Sequence, residues 1–115
     1  MTARDLAKWT MLHMNYGEYE GKRIISKMSE FEMWKPQGTD RNYGFAFSRY
    51  PKVVKGVNLR GMTGGSHGIH SLMFFEPEKK FGFVVICNGC ICGGNGGKMN
   101  YEIVRLLYKN FIKER

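Results

Sequence analysis

Hydrophobic and polar positions follow a helical period at the start of the chain. In residues 2–16, three large side chains recur at spacings of four or fewer and mark one helical face: Leu6, Trp9 and His13. Thr2 and Asp5 occupy the N-cap and N3 positions of a capping-box variant, and Gly17 ends the pattern. The pattern therefore predicts a first helix.

Two further helices are predicted from similar signals. A short one spans residues 27–34, with Ser26 as its cap and Pro36 beyond its end. Its large apolar residues are expected to pack against another element: Met28, Phe31, Met33 and Trp34. The last helix is expected from about residue 100 to 113, after the glycine-rich loop "GCICGGNGGK". Its predicted buried stripe is Ile103, Leu107 and Phe111.

The period changes to that of β-strands between the second and last helices. In "YGFAFSRY", residues 43–50, alternate positions are aromatic: Tyr43, Phe45 and Phe47. "VNLRGMTGG", residues 57–65, is a weaker strand. Residues 70–89 hold two nearly continuous apolar runs around "EPEKK", which predicts an antiparallel hairpin inside a sheet covered on both faces.

These elements predict an α+β fold. We expect an antiparallel sheet of about four strands, with two N-terminal helices and one C-terminal helix packed on it. At 115 residues, the chain is expected to form a single domain, residues 1–115.

Composition and charge narrow the classes of partner. The 43% hydrophobic content argues against disorder, and no apolar run is long enough to span a membrane. The net charge of +8 raises nucleic acid as a partner, but the basic residues are spread from Arg4 to Arg115 in runs of at most two. Scattered basic residues are more typical of a solvated surface.

The three cysteines are crowded into "CNGCIC": Cys87, Cys90 and Cys92. An odd number in one stretch does not predict a disulfide framework, so buried or loop thiols are expected. With His67 or His70 they offer four zinc ligands, but only one paired half-site is present, and no metal site is predicted.

The segment "RGMTGGSHGIHS", residues 60–71, is the main candidate for chemistry. It lacks the lysine of a phosphate-binding P-loop and does not match the dinucleotide pattern of glycines. In an extended segment, His67 and His70 would lie on opposite faces, which disfavours a shared metal. No cofactor is predicted.

Together with its neighbours, this segment resembles the C-terminal part of the serine β-lactamase and penicillin-binding-protein-like family, nearest to its class C-like esterases and peptidases. The resemblance rests on four blocks in the family's order: "MTARDLAKW", "GKRIISKMSEFEMWKPQ", "YGFAF" and "GMTGGSHGIHSLMFFEPEKKFGFVVICNG". It implies that Met62, Thr63 and Gly64 match the K-T-G or H-T-G strand beside the active site. It further implies that the Gly65 N–H is half of an oxyanion hole.

The chain departs from the family at the catalytic motifs. No serine is followed by lysine three positions later, and the only Y-x-N is Tyr108 to Asn110, in the wrong place. Met62 replaces a lysine or histidine and can supply neither charge nor a strong hydrogen bond. We therefore predict no catalytic residue in this chain and no hydrolysis by the chain alone.

The resemblance implies specific partners. The family's first two strands are absent, so we expect an N-terminal remainder of the same enzyme, or a homodimer through the exposed edge "FGFVVIC". One alternative is a non-catalytic module for peptide-like ligands, and a weaker one is a nucleic-acid binder. Relatives are exported, whereas reduced cysteines favour a reducing compartment, so the localisation is left open.

Overall fold

The computed structural model describes residues 2–36, 43–89 and 95–113. The helices are α1 (Ala3–Met14), α2 (Lys27–Trp34) and α3 (Asn95–Leu107), the last continued by a π-helical turn at Tyr108–Ile112. The strands are β1 (Glu18–Tyr19), β2 (Lys22–Arg23), β3 (Ser48–Tyr50), β4 (Leu59–Ser66), β5 (Ile69–Glu76) and β6 (Phe81–Asn88). The α+β class with helices packed against an antiparallel sheet is confirmed.

The main sheet has four antiparallel strands in the order β3-β4-β5-β6, and β1 and β2 form a separate two-stranded ribbon. The predicted hairpin is β5 and β6, joined by residues 77–80 and paired along their full lengths. Strand β4 pairs with β5 from Arg60 to Ser66. Consecutive strands are therefore neighbours, as is common for antiparallel sheets.

Both faces of the sheet are covered, which explains the continuous apolar runs. On one face, Leu72 and Phe74 of β5 pack with Val104 of α3. On the other, Met73 and Phe75 pack with Trp34 of α2 and residues of α1. Successive side chains of one strand thus enter two separate cores.

The first two helices begin as predicted. Asp5 N–H donates to Thr2 Oγ1 and Thr2 N–H donates to the Asp5 carboxylate, which completes the capping box of α1. Ser26 caps α2 by accepting from Ser29 N–H. The predicted burial of α2 is wrong in part, because Met28 is 77% exposed while Trp34 is 4% exposed. An eight-residue helix against one sheet edge buries only the residues on its inner side.

The strand predicted for residues 43–50 is wrong over its first half. Only Ser48–Tyr50 is a strand, and Tyr43 forms an isolated bridge with Ser48. The Gly44 N–H donates to the Phe47 carbonyl at 2.8 Å and closes a tight turn. Phe47 is therefore buried, whereas Phe45 is 69% exposed. The aromatic alternation arises from a turn, which a period of two does not distinguish from a strand.

The C-terminal helix begins earlier than predicted, and its buried face is centred on Val104, with Leu107 of the predicted stripe packed against the same core. It starts at Asn95, within the glycine-rich segment expected to be a loop. Val104 and Asn100 are buried, while Phe111 of the predicted stripe is 67% exposed. The helix widens into π-type turns at Tyr108–Ile112, where Ile112 packs against the core while Phe111 does not.

The cysteine prediction is corrected at one position. Cys87, on β6, is disulfide-bonded and is not a free thiol. The predictions for Cys90 and Cys92 lie outside the described residues. In the part of the chain that the structure describes, no helix has the length and apolar character needed to cross a bilayer.

Candidate substrate-binding site

The glycine-rich candidate segment folds as the β4–β5 hairpin. Strand β3 pairs with β4 only from Leu59 to Gly61. Residues 62–66 therefore have no partner strand on that side within the described ranges, although β5 pairs with them on the other. These five residues are exposed. Within residues 62–65, alternate residues direct their backbone N–H and C=O groups to this unpaired side, while the others direct theirs to β5.

The four predicted site residues lie on two faces of the sheet. Met62 and Gly64 share the α1 face, since their partners on β5 are Met73 and Ser71. Thr63 and Gly65 share the α3 face and lie opposite Leu72 and His70. The predicted segment therefore lies at one edge of the sheet, while its side chains border two different cavities.

A groove of about 1010 Å³ lies between α1 and the sheet beside this edge. The sheet supplies Met62, Gly64, Ile69, Ser71 and Ile86, and α1 supplies Leu6, Trp9 and Leu12. Asp5 and Lys8 add one charge of each sign. Its walls are otherwise mainly apolar, and Trp9, Met62 and Ile69 are each more than 40% exposed. Such a groove accommodates a ligand with an apolar body.

A smaller cavity of about 240 Å³ lies on the α3 face of the same edge. Its lining includes Gly65, His70, Asn100 and Tyr101. Asn100 is 1% exposed, and its Oδ1 atom has no hydrogen-bond partner. Burial raises the pKa of Tyr101, with a smaller contribution from Tyr50. Tyr101 is therefore a neutral phenol at pH 7, suited to hydrogen bonding and not to proton abstraction.

The site contains hydroxyls without an activating base. Thr63 and Ser71 border the cavities, but within the described residues neither hydroxyl donates to a histidine, lysine or carboxylate. A nucleophilic hydroxyl needs such a partner within about 3 Å. Among the described residues, this edge therefore offers backbone groups and no activated hydroxyl.

A histidine–carboxylate pair does exist, but it lies elsewhere. His13 and Glu30 are both completely buried between α1 and α2 and line none of these cavities. The His13 ring packs edge-on against Trp9 and Phe47, at centroid distances of 4.4 and 4.7 Å. The aromatic rings enclose the pair, which connects α1 to α2 inside the protein.

The histidines of the hairpin are placed differently from the prediction. His67 lies in the turn between β4 and β5, where Gly68 has φ of +74°, and His70 lies on β5. The two were expected in one extended segment, but the turn reverses the chain between them. The described residues contain no group of three or more potential metal ligands.

Sequence reasoning missed three residues of the site. Trp9 was assigned only to one face of the first helix, and it lines the groove. Asn100 and Tyr101 were assigned to the start of a helix without any role. The sequence could have indicated Asn100 only if the buried face of the helix had been known, because an asparagine on a buried face is unusual.

No family model and no curated protein sequence matches this chain. The resemblance to β-lactamases therefore rests on the four quoted blocks alone.

Proposed function

We propose that this chain provides the substrate-binding strand and adjacent groove of a β-lactamase-like serine hydrolase, and that it does not hydrolyse substrates alone. One observation carries the proposal. Residues 62–66 form an unpaired edge beside the groove, at the positions where the resemblance implies the family's K-T-G-like strand. The α+β arrangement with a helix-covered antiparallel sheet is consistent with this reading.

Binding at this edge would follow the physics of strand addition. An extended, peptide-like acyl substrate pairs its backbone with the free N–H and C=O groups of β4. Gly64 and Gly65 have no side chains, so a ligand backbone can approach closely. The groove beside Met62 then holds an apolar substituent of the ligand. The Gly65 N–H supplies one oxyanion donor.

Hydrolysis requires groups that this chain does not supply. It has no S-x-x-K, and the hydroxyls of Thr63 and Ser71 have no activating base among the described residues. Losing the nucleophile of a serine hydrolase costs about a million-fold in turnover. We propose that an N-terminal remainder of the enzyme supplies the serine, its base and the second oxyanion donor.

The binding step is tested by titrating the labelled chain with an N-acyl-D-Ala-D-Ala peptide and recording amide chemical shifts. Saturable shifts confined to residues 62–66 and the groove are expected. Met62→Lys, which restores the family's charge, should tighten binding of the peptide carboxylate about threefold to tenfold. Met62→Leu is the matched control and should leave the affinity within about twofold. Shifts scattered over the surface would refute this site.

The absence of turnover is tested by intact mass spectrometry after incubation with a penicillin and an activated ester. No covalent adduct is expected. An acyl adduct on any serine would overturn the claim that the chain is inactive alone.

The same edge also favours a second candidate function, a non-catalytic module that binds peptide-like ligands. Sequencing the DNA upstream of the Met1 codon distinguishes the hydrolase from the non-catalytic module. An open frame continuing through S-x-x-K and Y-x-N supports the hydrolase. A stop codon there supports the module. Binding of nucleic acid would instead show a steep salt dependence.

We also propose self-association through β6, which is the last strand of the described sheet. An apolar strand with one unpaired side is prone to edge-to-edge pairing. Sedimentation should show a dimer at high concentration, and a monomer into the millimolar range would contradict it.

A further inference from the structure

A separate cavity of about 310 Å³ opens where β3 and β4 meet α2. Arg49 of β3 and Arg60 of β4 are register partners and both line it. Directly opposed residues of an antiparallel pair lie on the same face, with Cβ atoms about 5 Å apart. The two guanidinium groups are therefore neighbours in one small space.

Among the described residues, neither arginine has an anionic partner. The ion pairs of the described residues join His13 to Glu30, Arg23 to Glu18 and Arg105 to Glu102. The Nε atoms of Arg49 and Arg60 are buried and have no hydrogen-bond partner. Glu78 lines the same cavity but does not lie within 4 Å of either guanidinium.

Burial and the charge of Arg49 both act on the pKa of Arg60. The pKa of Arg60 is lowered, first by burial and then by Arg49, while Glu76, Tyr16 and Glu78 act in the opposite direction. Like charges directly opposite each other on a sheet destabilise it. The part of the chain that the structure describes therefore holds these two cations together without a carboxylate paired to either.

One wall of the cavity is aromatic. The Arg60 guanidinium lies over the Trp34 ring, 5.1 Å from its centroid, and Tyr16 and Phe31 complete the wall. Stacking restricts the plane of the guanidinium and leaves its N–H edge for an acceptor. Phe31 is 48% exposed, so its ring is accessible to a ligand.

We propose that Arg49 and Arg60 form a binding site for the phosphoryl group of a small phosphate ester. A phosphate monoester carries nearly two negative charges at pH 7 and three acceptor oxygens, which suit two guanidinium forks. A single carboxylate would offset only one of the cations. The cavity volume is at the lower end of the range for small-molecule sites. This site is independent of the proposed β4 edge function.

The test is a calorimetric titration of the full chain, in low-salt buffer free of phosphate, with inorganic phosphate and with phenyl phosphate. Arg49→Gln should weaken binding about tenfold to a hundredfold, the effect of losing a charge-assisted hydrogen bond. Arg4→Gln is the matched control, because it removes the same charge from an exposed position on α1. It should change the affinity less than about twofold.

Arg49→Lys is the second variant, because it keeps the charge and most of the packing if Arg49→Gln fails to fold. It loses the planar fork and should weaken binding about tenfold. Tighter binding of phenyl phosphate than of inorganic phosphate would assign the site to an organic ester, through contact with Phe31. Equal affinities would assign it to the free anion, and both results support a phosphoryl site. No saturable binding, or equal weakening by Arg49→Gln and Arg4→Gln, would overturn the proposal.

Discussion

The Nδ1 atom of His13 lies 2.8 Å from Oε1 and 3.1 Å from Oε2 of Glu30, and both side chains are completely buried. This contact between the His13 ring and the Glu30 carboxyl group crosses from α1 to α2. The other ring nitrogen, Nε2, is buried without a partner. The pair joins α1 to α2 and thereby fixes the helix that forms one wall of the groove.

Removing one member of this pair should strongly destabilise the fold. His13→Ala leaves the Glu30 carboxylate buried and unpaired, and the expected loss in the free energy of unfolding is about 3 to 5 kcal/mol. The double variant His13→Leu with Glu30→Met removes both polar groups and should lose less than His13→Ala alone. Urea unfolding measures both. If the double variant lost as much unfolding free energy as His13→Leu and Glu30→Met together lose when made singly, the two side chains would not be coupled.

Substitutions at Phe74 and Phe45 test whether the stability contribution of a phenylalanine follows its burial in the structure. Phe74 is fully buried and contacts Tyr50 at a centroid distance of 4.6 Å, whereas Phe45 is 69% exposed. Phe74→Ala should cost about 3 to 5 kcal/mol in the free energy of unfolding. Phe45→Ala, the same substitution, should stay within about 0.5 kcal/mol. Similar losses at both positions would show that Phe45 is buried in solution.

The elements that sequence predicted correctly depend on local chemistry. The capping box of Thr2 and Asp5 and the Ser26 cap use only neighbours three residues apart. The β5–β6 hairpin follows from two apolar runs around a short polar loop. In each case, the information lies within the segment that folds.

The errors arise where distant packing decides the outcome. Phe45 and Phe47 belong to one alternating pattern, but only Phe47 meets the core beside Trp34. The prediction placed Ile103 at the centre of the buried face of α3, whereas the structure places the next residue, Val104, there. Asn100 lies one helical turn before Val104 and therefore faces the cavity. The opposition of Arg49 and Arg60 depends on the β3–β4 register, which no local pattern specifies.

The capping carboxylate predicts a pH dependence at the acid end. Hydrogen bonds from Thr2, the backbone one foremost, lower the pKa of Asp5 below its ordinary value of 3.8. A carboxyl group with a lowered pKa in the folded state stabilises the fold above its unfolded pKa. That contribution disappears as the pH falls through the folded pKa. The stability difference between the wild type and Asp5→Asn should therefore be largest above about pH 4 and shrink toward about pH 2.

Thr2→Ala is the control for this prediction. It removes the side-chain bond of the cap, at a cost of about 1 kcal/mol, but keeps the Thr2 N–H that donates to Asp5. Part of the pH dependence should therefore remain. A wild-type advantage over Asp5→Asn that grew toward low pH would have the opposite sign to the one expected.

Two glycines of β4 should differ strongly in how much stability the same substitution costs. Gly61 has φ of +151°, and a Cβ there would lie 1.8 Å from the Met73 carbonyl oxygen. Gly64, three residues on, would place its Cβ 3.1 Å from the Ser71 hydroxyl, a side-chain atom that can rotate away. Gly61→Ala forces the β4–β5 backbones apart and should cost about 3 kcal/mol or more in unfolding free energy. Gly64→Ala should cost less than about 1 kcal/mol.

The Gly64→Ala variant then separates folding from binding. Its added methyl lies on the α1 face, where the groove borders the edge, so a ligand strand would meet it directly. Peptide affinity should fall about tenfold or more, while urea unfolding stays close to the wild type. An unchanged peptide affinity in the folded Gly64→Ala protein would show that the ligand does not bind at this edge. A fully stable Gly61→Ala protein would in turn refute the close approach of β4 to β5 that holds the edge in place.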